Sequence, residues 1–149
     1  MHKENSTTAM PFGTDITSQD IVDSLQFFGS WEERYKYIID LGKELPGLPD
    51  VKKTEDRLVR GCQSQVWIDY VCEDGRLQLN VDSDAFIVKG LLGVVMAAYN
   101  NKSPDAVRDF DIEGYFAELN LLSHLSPTRG NGLRAMVERI KRIARECKA

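Results

Sequence analysis

The stretch from Val66 to Val81 constrains the fold most, because two arms of alternating character flank the dipeptide Asp74-Gly75. In the first arm Val66, Ile68, Tyr70 and Cys72 alternate with Trp67, Asp69 and Val71; in the second Leu77, Leu79 and Val81 alternate with Arg76, Gln78 and Asn80. A period of two sorts such side chains onto one dry and one wet face, and Asp-Gly supplies the two positive-φ positions that a two-residue hairpin turn requires. An antiparallel hairpin is therefore expected here. Leu58-Val59 offers a short additional strand, so the expected sheet is small, antiparallel and three-stranded.

On both sides of this hairpin the period changes to that of helices. Thr17-Ser-Gln-Asp20 has the form of a capping box before Ile21, Val22 and Leu25, and Ser30-Trp-Glu-Glu33 repeats the device before Trp31, Tyr35, Ile38 and Ile39, which share a face. Pro46 and Pro49 stop that second helix. Asp82-Ser83-Asp84 suits an N-cap for a helix over residues 85–99, apolar nearly all round with only Lys89 charged. Gly90 and Gly93 weaken it by about 1 kcal/mol each relative to Ala, which close packing of its backbone on the sheet explains. Ser103-Pro104 opens a short helix, residues 111–119 form another, and Leu133, Met136, Val137, Ile140, Ile143, Ala144 and Cys147 draw an apolar stripe along a last one. Helices before and after a contiguous antiparallel sheet define a two-layer α+β domain.

The chain has 149 residues, enough for one domain with a real core. Residues 1–13 carry no signal-peptide pattern and are expected to form a flexible leader to a single domain over 14–149. The longest apolar run, Gly90 to Tyr99, is half of what a membrane span requires. A net charge of −4 argues against nucleic acid and anionic membranes as partners. That charge is unevenly placed: Arg129 to Ala149 holds seven basic and two acidic residues, +5, which leaves −9 on the remainder. Three cysteines without a CxxC pair read as free thiols in a reducing, cytoplasmic setting.

Cys62, in Arg60-Gly-Cys-Gln-Ser-Gln-Val-Trp67, is the best-placed candidate nucleophile. Gly61 permits a tight or left-handed turn, and a loop on a rigid hairpin is where reactive groups are displayed. Arg60, or Arg129 and His124 if the fold brings them near, would stabilise the reactive thiolate. The competing reading is a small buried hydrophobe. Cys72 and Cys147 fall in phase with core positions and read as packing. A metal site from Cys62, Cys72, Cys147 and His124 lacks any short ligand spacing. The segment Leu125 to Leu133 either leaves backbone N–H groups free for an anion or thiolate beside Arg129, or simply caps the last helix. No Walker loop, GxSxG, HExxH or strand-to-helix GxGxxG occurs, and of two histidines one is His2.

Five ordered blocks together resemble the SufE family of sulfur acceptors, which includes CsdE. They are Trp31-Glu-x-x-Tyr35, Leu41-Gly-x-x-Leu-Pro46, Gly61-Cys-Gln-Ser-Gln-Val-Trp67, Asp82-Ser-Asp-Ala-x-Ile-Val-Lys-Gly-Leu91, and Leu122-x-x-His-Leu-x-Pro-x-Arg129 followed by Gly132-Leu133. The Pro11-Phe-Gly-Thr14 leader looks like the CsdE branch, and the Gln63-Ser64 and His124 blocks look like SufE itself. The resemblance implies an IscU-like α+β fold and a Cys62 that takes sulfur from the persulfide of a pyridoxal-phosphate cysteine desulfurase of SufS or CsdA type. It further implies stimulation of that desulfurase and delivery to an iron–sulfur assembly complex of SufBCD type, with no cofactor or metal of the chain's own. Arg60, Gly61, Gln63, Gln65, His124 and Arg129 are the implied supporting residues, and both monomer and homodimer are left open. An iron–sulfur cluster scaffold and a stand-alone thiol enzyme are the alternatives, and the lack of a resolving cysteine near Cys62 weakens the second.

Overall fold

In a computed structural model, residues 10–147 are described. Six helices surround one hairpin: α1 (Ser18–Phe27), α2 (Trp31–Gly42), β1 (Val66–Glu73), β2 (Arg76–Ser83), α3 (Phe86–Tyr99), α4 (Pro104–Asp109), α5 (Ile112–Leu119) and α6 (Pro127–Glu146). The hairpin turns at Asp74 (φ 55°) and Gly75 (φ 74°), and its register pairs Val66 with Ser83 and Glu73 with Arg76. The α+β class is as expected; the sheet has two strands instead of three. Leu58 makes a single bridge to Trp67, because the chain swings away immediately afterwards into the loop that carries Cys62. The outer edge of β2 is likewise touched once, at Leu77 by Lys102.

Caps follow the sequence closely at α1, where Thr17 and Asp20 bond reciprocally, and at α2, α4 and α6, where Ser30, Ser103 and Ser126 accept from backbone N–H groups. On α2 the buried residues are Ile38, Leu41 and Gly42, while Tyr35 is exposed, so the buried face is rotated toward Leu41 from the one expected. The central element is α3, every residue of which from Gly90 to Tyr99 is buried, and α1, α2, α4, α6 and β2 all pack on it. Each fully buried Leu, Val or Ile of such a helix contributes about 1.5–3 kcal/mol. The glycines of α3 serve a different neighbour from the one expected. A Cβ on Gly90 would lie 2.1 Å from the Ile38 carbonyl oxygen, and one on Gly93 would lie 2.9 Å from the Phe12 ring. They admit α2 and the N-terminal segment, not the sheet.

Residues 10–13, expected to belong to a flexible leader, pack onto the domain. Phe12 is wholly buried, and Asn100 ties it down by donating from its side-chain amide to the Phe12 carbonyl (2.9 Å) while accepting from the Leu79 N–H (2.7 Å). Residues 1–9 lie outside the described residues. Asp82 does not cap α3: it is buried and accepts from the Leu48 (3.0 Å) and Ser83 (2.9 Å) N–H groups, with Lys53 and Lys89 at 3.4 and 3.5 Å. Burial pushes its pKa up, but these donors and cations outweigh it and hold the carboxyl below the usual range.

The three cysteines are not all free thiols. Cys72, on β1, and Cys147, which follows α6, are joined in a disulfide with Cα atoms 5.8 Å apart. Cys72 is half-buried on β1, where Tyr70 of the same phase is exposed, and Cys147 is buried at the C-cap of α6, so the core-facing phase expected for Cys72 is only partly realised. Among the described residues no helix is long and apolar enough to cross a membrane.

Candidate functional site

Cys62 is the free cysteine of the chain. Its loop leaves and returns through a narrow neck, where the Val59 N–H donates to the Val66 carbonyl (2.8 Å). Gly61 makes the turn with φ +91°, a region that L side chains rarely adopt, and a Cβ there would lie 3.4 Å from the Ala135 methyl of α6. On the return, the Gln65 N–H donates to the Asp84 carboxylate (3.1 Å), and the Gln65 carbonyl accepts from the Ser83 hydroxyl (2.7 Å) and the Asp84 N–H (3.3 Å). The loop is thus clipped to the corner between β2 and α3.

The Cys62 side chain is half-buried, and its Sγ donates to the Gly132 carbonyl of α6 at 3.5 Å. Beside it is a small cavity of about 20 Å³, lined by Val88 and Leu91 of α3 and by Thr128, Arg129 and Met136 of α6. Burial pushes the thiol pKa up, and donation to a carbonyl also favours the protonated form. In this conformation the sulfur is held as a thiol, away from the thiolate state in which it reacts.

The cations expected around it are dispersed. Arg129 lines the same cavity, with its Nη1 buried and unpartnered among the described residues. Arg60 is exposed and pairs with Glu55. His124 stacks on Trp31 with ring centroids 4.2 Å apart, and its Nδ1 lies 2.9 Å from the Asn120 carbonyl oxygen. Gln63 and Ser64 line the cavity, whereas Gln65 acts through its backbone. At the start of α6 the Ser126 hydroxyl takes the Arg129 N–H and the Ser126 carbonyl takes the Gly130 N–H, so this terminus is capped and the sulfur meets the helix further along, at Gly132.

Sequence reasoning assigns Asp84 to capping and misses its clip on the loop; its position directly opposite Gln65 across the hairpin's open end is the available signal. The conceivable metal set falls away with the disulfide, since the joined sulfurs of Cys72 and Cys147 offer no thiolate. Among the described residues no group of three His, Cys, Asp or Glu is arranged to hold a metal ion.

Known proteins place this geometry. A family model described as "SufE: Fe-S metabolism associated domain" matches residues 19–144. An uncharacterized SufE-like protein of Rhizobium meliloti (strain 1021) is 42% identical over 131 residues, covering 85% of this chain and 94% of its own. A second SufE-like protein, from Rhizobium etli, is 40% identical over 129 residues, 84% of this chain and 87% of its own. The solution structure of a hypothetical protein from Thermus thermophilus superposes with a TM-score of 0.71 at 21% identity, over 87% of this chain and 94% of that one, and shares the fold. With a match that runs from α1 into the last turn of α6 and encloses the Cys62 loop, the chain belongs to the SufE family, whose domain is associated with Fe–S metabolism.

Proposed function

We propose that this protein is a sulfur acceptor and carrier: Cys62 takes sulfur from the persulfide of a pyridoxal-phosphate cysteine desulfurase, stimulates that enzyme by unloading it, and passes the sulfur to an iron–sulfur assembly complex. The observation that carries the reading is a lone free thiol on a clipped loop, next to a cavity of about 20 Å³, room for about one further heavy atom. The Cys62 thiolate attacks the outer sulfur of the donor Cys–S–SH. The donor S–S bond breaks, the outer sulfur stays on Cys62 as a persulfide, and the donor cysteine leaves as a thiolate that takes up the proton lost by Cys62. No net oxidation occurs, so no resolving cysteine and no cofactor are needed.

The half-buried resting thiol fits a carrier better than a stand-alone thiol enzyme, because a raised pKa suppresses reaction with electrophiles other than the docked donor. Docking that draws the loop off Gly132 and Asp84 would expose the sulfur to water and to its donor at once. Arg129, already at the cavity wall with its Nη1 unpartnered among the described residues, is positioned to stabilise the terminal sulfur of a persulfide. The test is steady-state alanine release by the desulfurase with cysteine and a mild reductant. Wild-type protein is expected to raise the rate several-fold and Cys62→Ser to leave it at the basal value; equal stimulation by both would refute the acceptor role.

A further inference from the structure

The helix that receives the Cys62 thiol continues into a cationic face. Gly132 touches Cys62, Ala135 one turn later faces Gly61, and the following turns present Arg139, Arg142 and Arg145. With Arg60 from the Cys62 loop these side chains surround a concavity of about 340 Å³, in which Glu138 is the one acid. At 1.5 Å per residue, Arg142 and Arg145 lie about 15–20 Å along α6 from Gly132, so both features fall within one interface of ordinary size.

The charges of this face are only partly satisfied within the fold: Arg60 pairs with Glu55. Arg139 is half-buried and donates to two backbone carbonyls, those of Asp56 and Leu58, with no carboxylate between. Arg142 and Arg145 are exposed and have no carboxylate within ion-pair distance among the described residues. Burial and the neighbouring Arg142 lower the Arg139 pKa, with Arg60 adding to them, and the opposing pull of Asp56 and Glu146 does not offset the decrease. The remainder of the chain is strongly acidic. A polyanion such as nucleic acid or a lipid surface would extend beyond so small a ridge onto that acidic body, whereas a compact acidic protein surface matches its size.

We infer that the Arg60/Arg139/Arg142/Arg145 face is the docking surface for an acidic patch on the sulfur-donating desulfurase, seated beside the donor's persulfide. This rests on the reading of Cys62 as the acceptor. The probe is the cell's own pyridoxal-phosphate cysteine desulfurase, and the readouts are its association rate constant at low and high salt and the amount of sulfur on Cys62 after long incubation. The variant is Arg142→Glu with Arg145→Glu, both exposed; Arg139 is spared because it holds the 56–58 segment. Lys36→Glu on α2 with Lys43→Glu just after it, of equal charge change, is the control.

At low salt the α6 pair should associate roughly tenfold or more slowly than wild type, the control pair less than about threefold, with the difference vanishing at high salt. Association as fast as wild type, or equal slowing by both pairs, overturns the surface assignment, and if wild type still gains its sulfur the acceptor reading survives. Wild type that gains no sulfur overturns both. Faster loss of binding to a DNA duplex or anionic vesicles than to the desulfurase would assign the ridge to those partners and also overturn the inference.

Discussion

Gly90→Ala isolates the contact on which the fold of α3 turns. In a bare helix the change would stabilise by about 0.8–1 kcal/mol. Here the added methyl would sit 2.1 Å from the Ile38 carbonyl oxygen and 2.6 Å from the Ile38 Cγ2. A carbon and a carbonyl oxygen settle at about 3.3 Å or more, so α2 and α3 would have to part by about 1 Å. The obstacle is backbone, and the contact is tight from the other side as well: a Cβ added to Gly42 on α2 would lie 2.6 Å from the Gly90 nitrogen and 2.8 Å from the Lys89 carbonyl carbon, so no side chain can swing aside to relieve it. Overpacking costs about 1–3 kcal/mol, and a backbone obstacle belongs at or beyond the upper end of that range, so a net loss of about 2 kcal/mol is expected. Urea unfolding followed by Trp31 and Trp67 fluorescence should show the midpoint fall by about 1 M, for a slope of about 2 kcal/mol per M. Gly29→Ala is the contrast, since nothing lies within 4 Å of its added Cβ, and its midpoint should be unchanged or slightly raised. A Gly90→Ala midpoint equal to or above wild type would refute the close helix contact.

Three further outcomes follow from the loop, the buried carboxylate and the disulfide. Alkylation of Cys62 in the isolated protein should rise with pH through a midpoint above the ordinary thiol value of about 8.5, and Asp84→Ala, which removes one of the three bonds that clip Gln65, should speed it about fivefold, equivalent to about 1 kcal/mol of lost hydrogen bonding. Because the Asp82 pKa is held below its unfolded value of about 3.9, its stabilisation is full well above that pH and is lost as pH falls through the folded value; urea midpoints of wild type and Asp82→Asn should therefore differ at neutral pH and converge as the pH is taken below the unfolded value and through the lower folded one. Thiol titration of the unreduced folded protein should count one cysteine, Cys62, and closure of a 75-residue separation by the disulfide predicts a loss of up to about 4.5 kcal/mol on reduction or in Cys147→Ser; three reactive thiols before reduction would contradict the Cys72–Cys147 bond.

The parts of this molecule that depend on neighbours in sequence are legible without its structure. Alternation around Asp74-Gly75 specifies the hairpin, and the stripe from Leu133 to Cys147 specifies α6 with its buried face and basic exterior. Those signals are periodic and survive without knowledge of what packs against them. The misplaced features are all contacts between distant segments. Leu58-Val59 has the composition of a strand, but its pairing ends after one bridge because Gly61 turns the chain toward α6. Phe12 looks like leader because the glycine opening that admits it, Gly93, lies on α3. Cys72 and Cys147 are read separately as core positions, and their joining across a separation of 75 residues carries no local signal in the sequence. At the site, sequence proximity suggests Arg60 as the thiolate's companion, yet adjacent residues on a tight turn point apart: Arg60 faces Glu55, and the residue that shares the Cys62 cavity is Arg129.

The central claim is that sulfur resides on one named atom of this chain. Intact and peptide mass spectrometry after incubation with the desulfurase and cysteine, with free thiols capped, reads it directly. The account predicts one added sulfur on Cys62, removed by reductant, with no gain in Cys62→Ser. An unchanged mass for the wild type, or equal sulfur gain by Cys62→Ser, would contradict it.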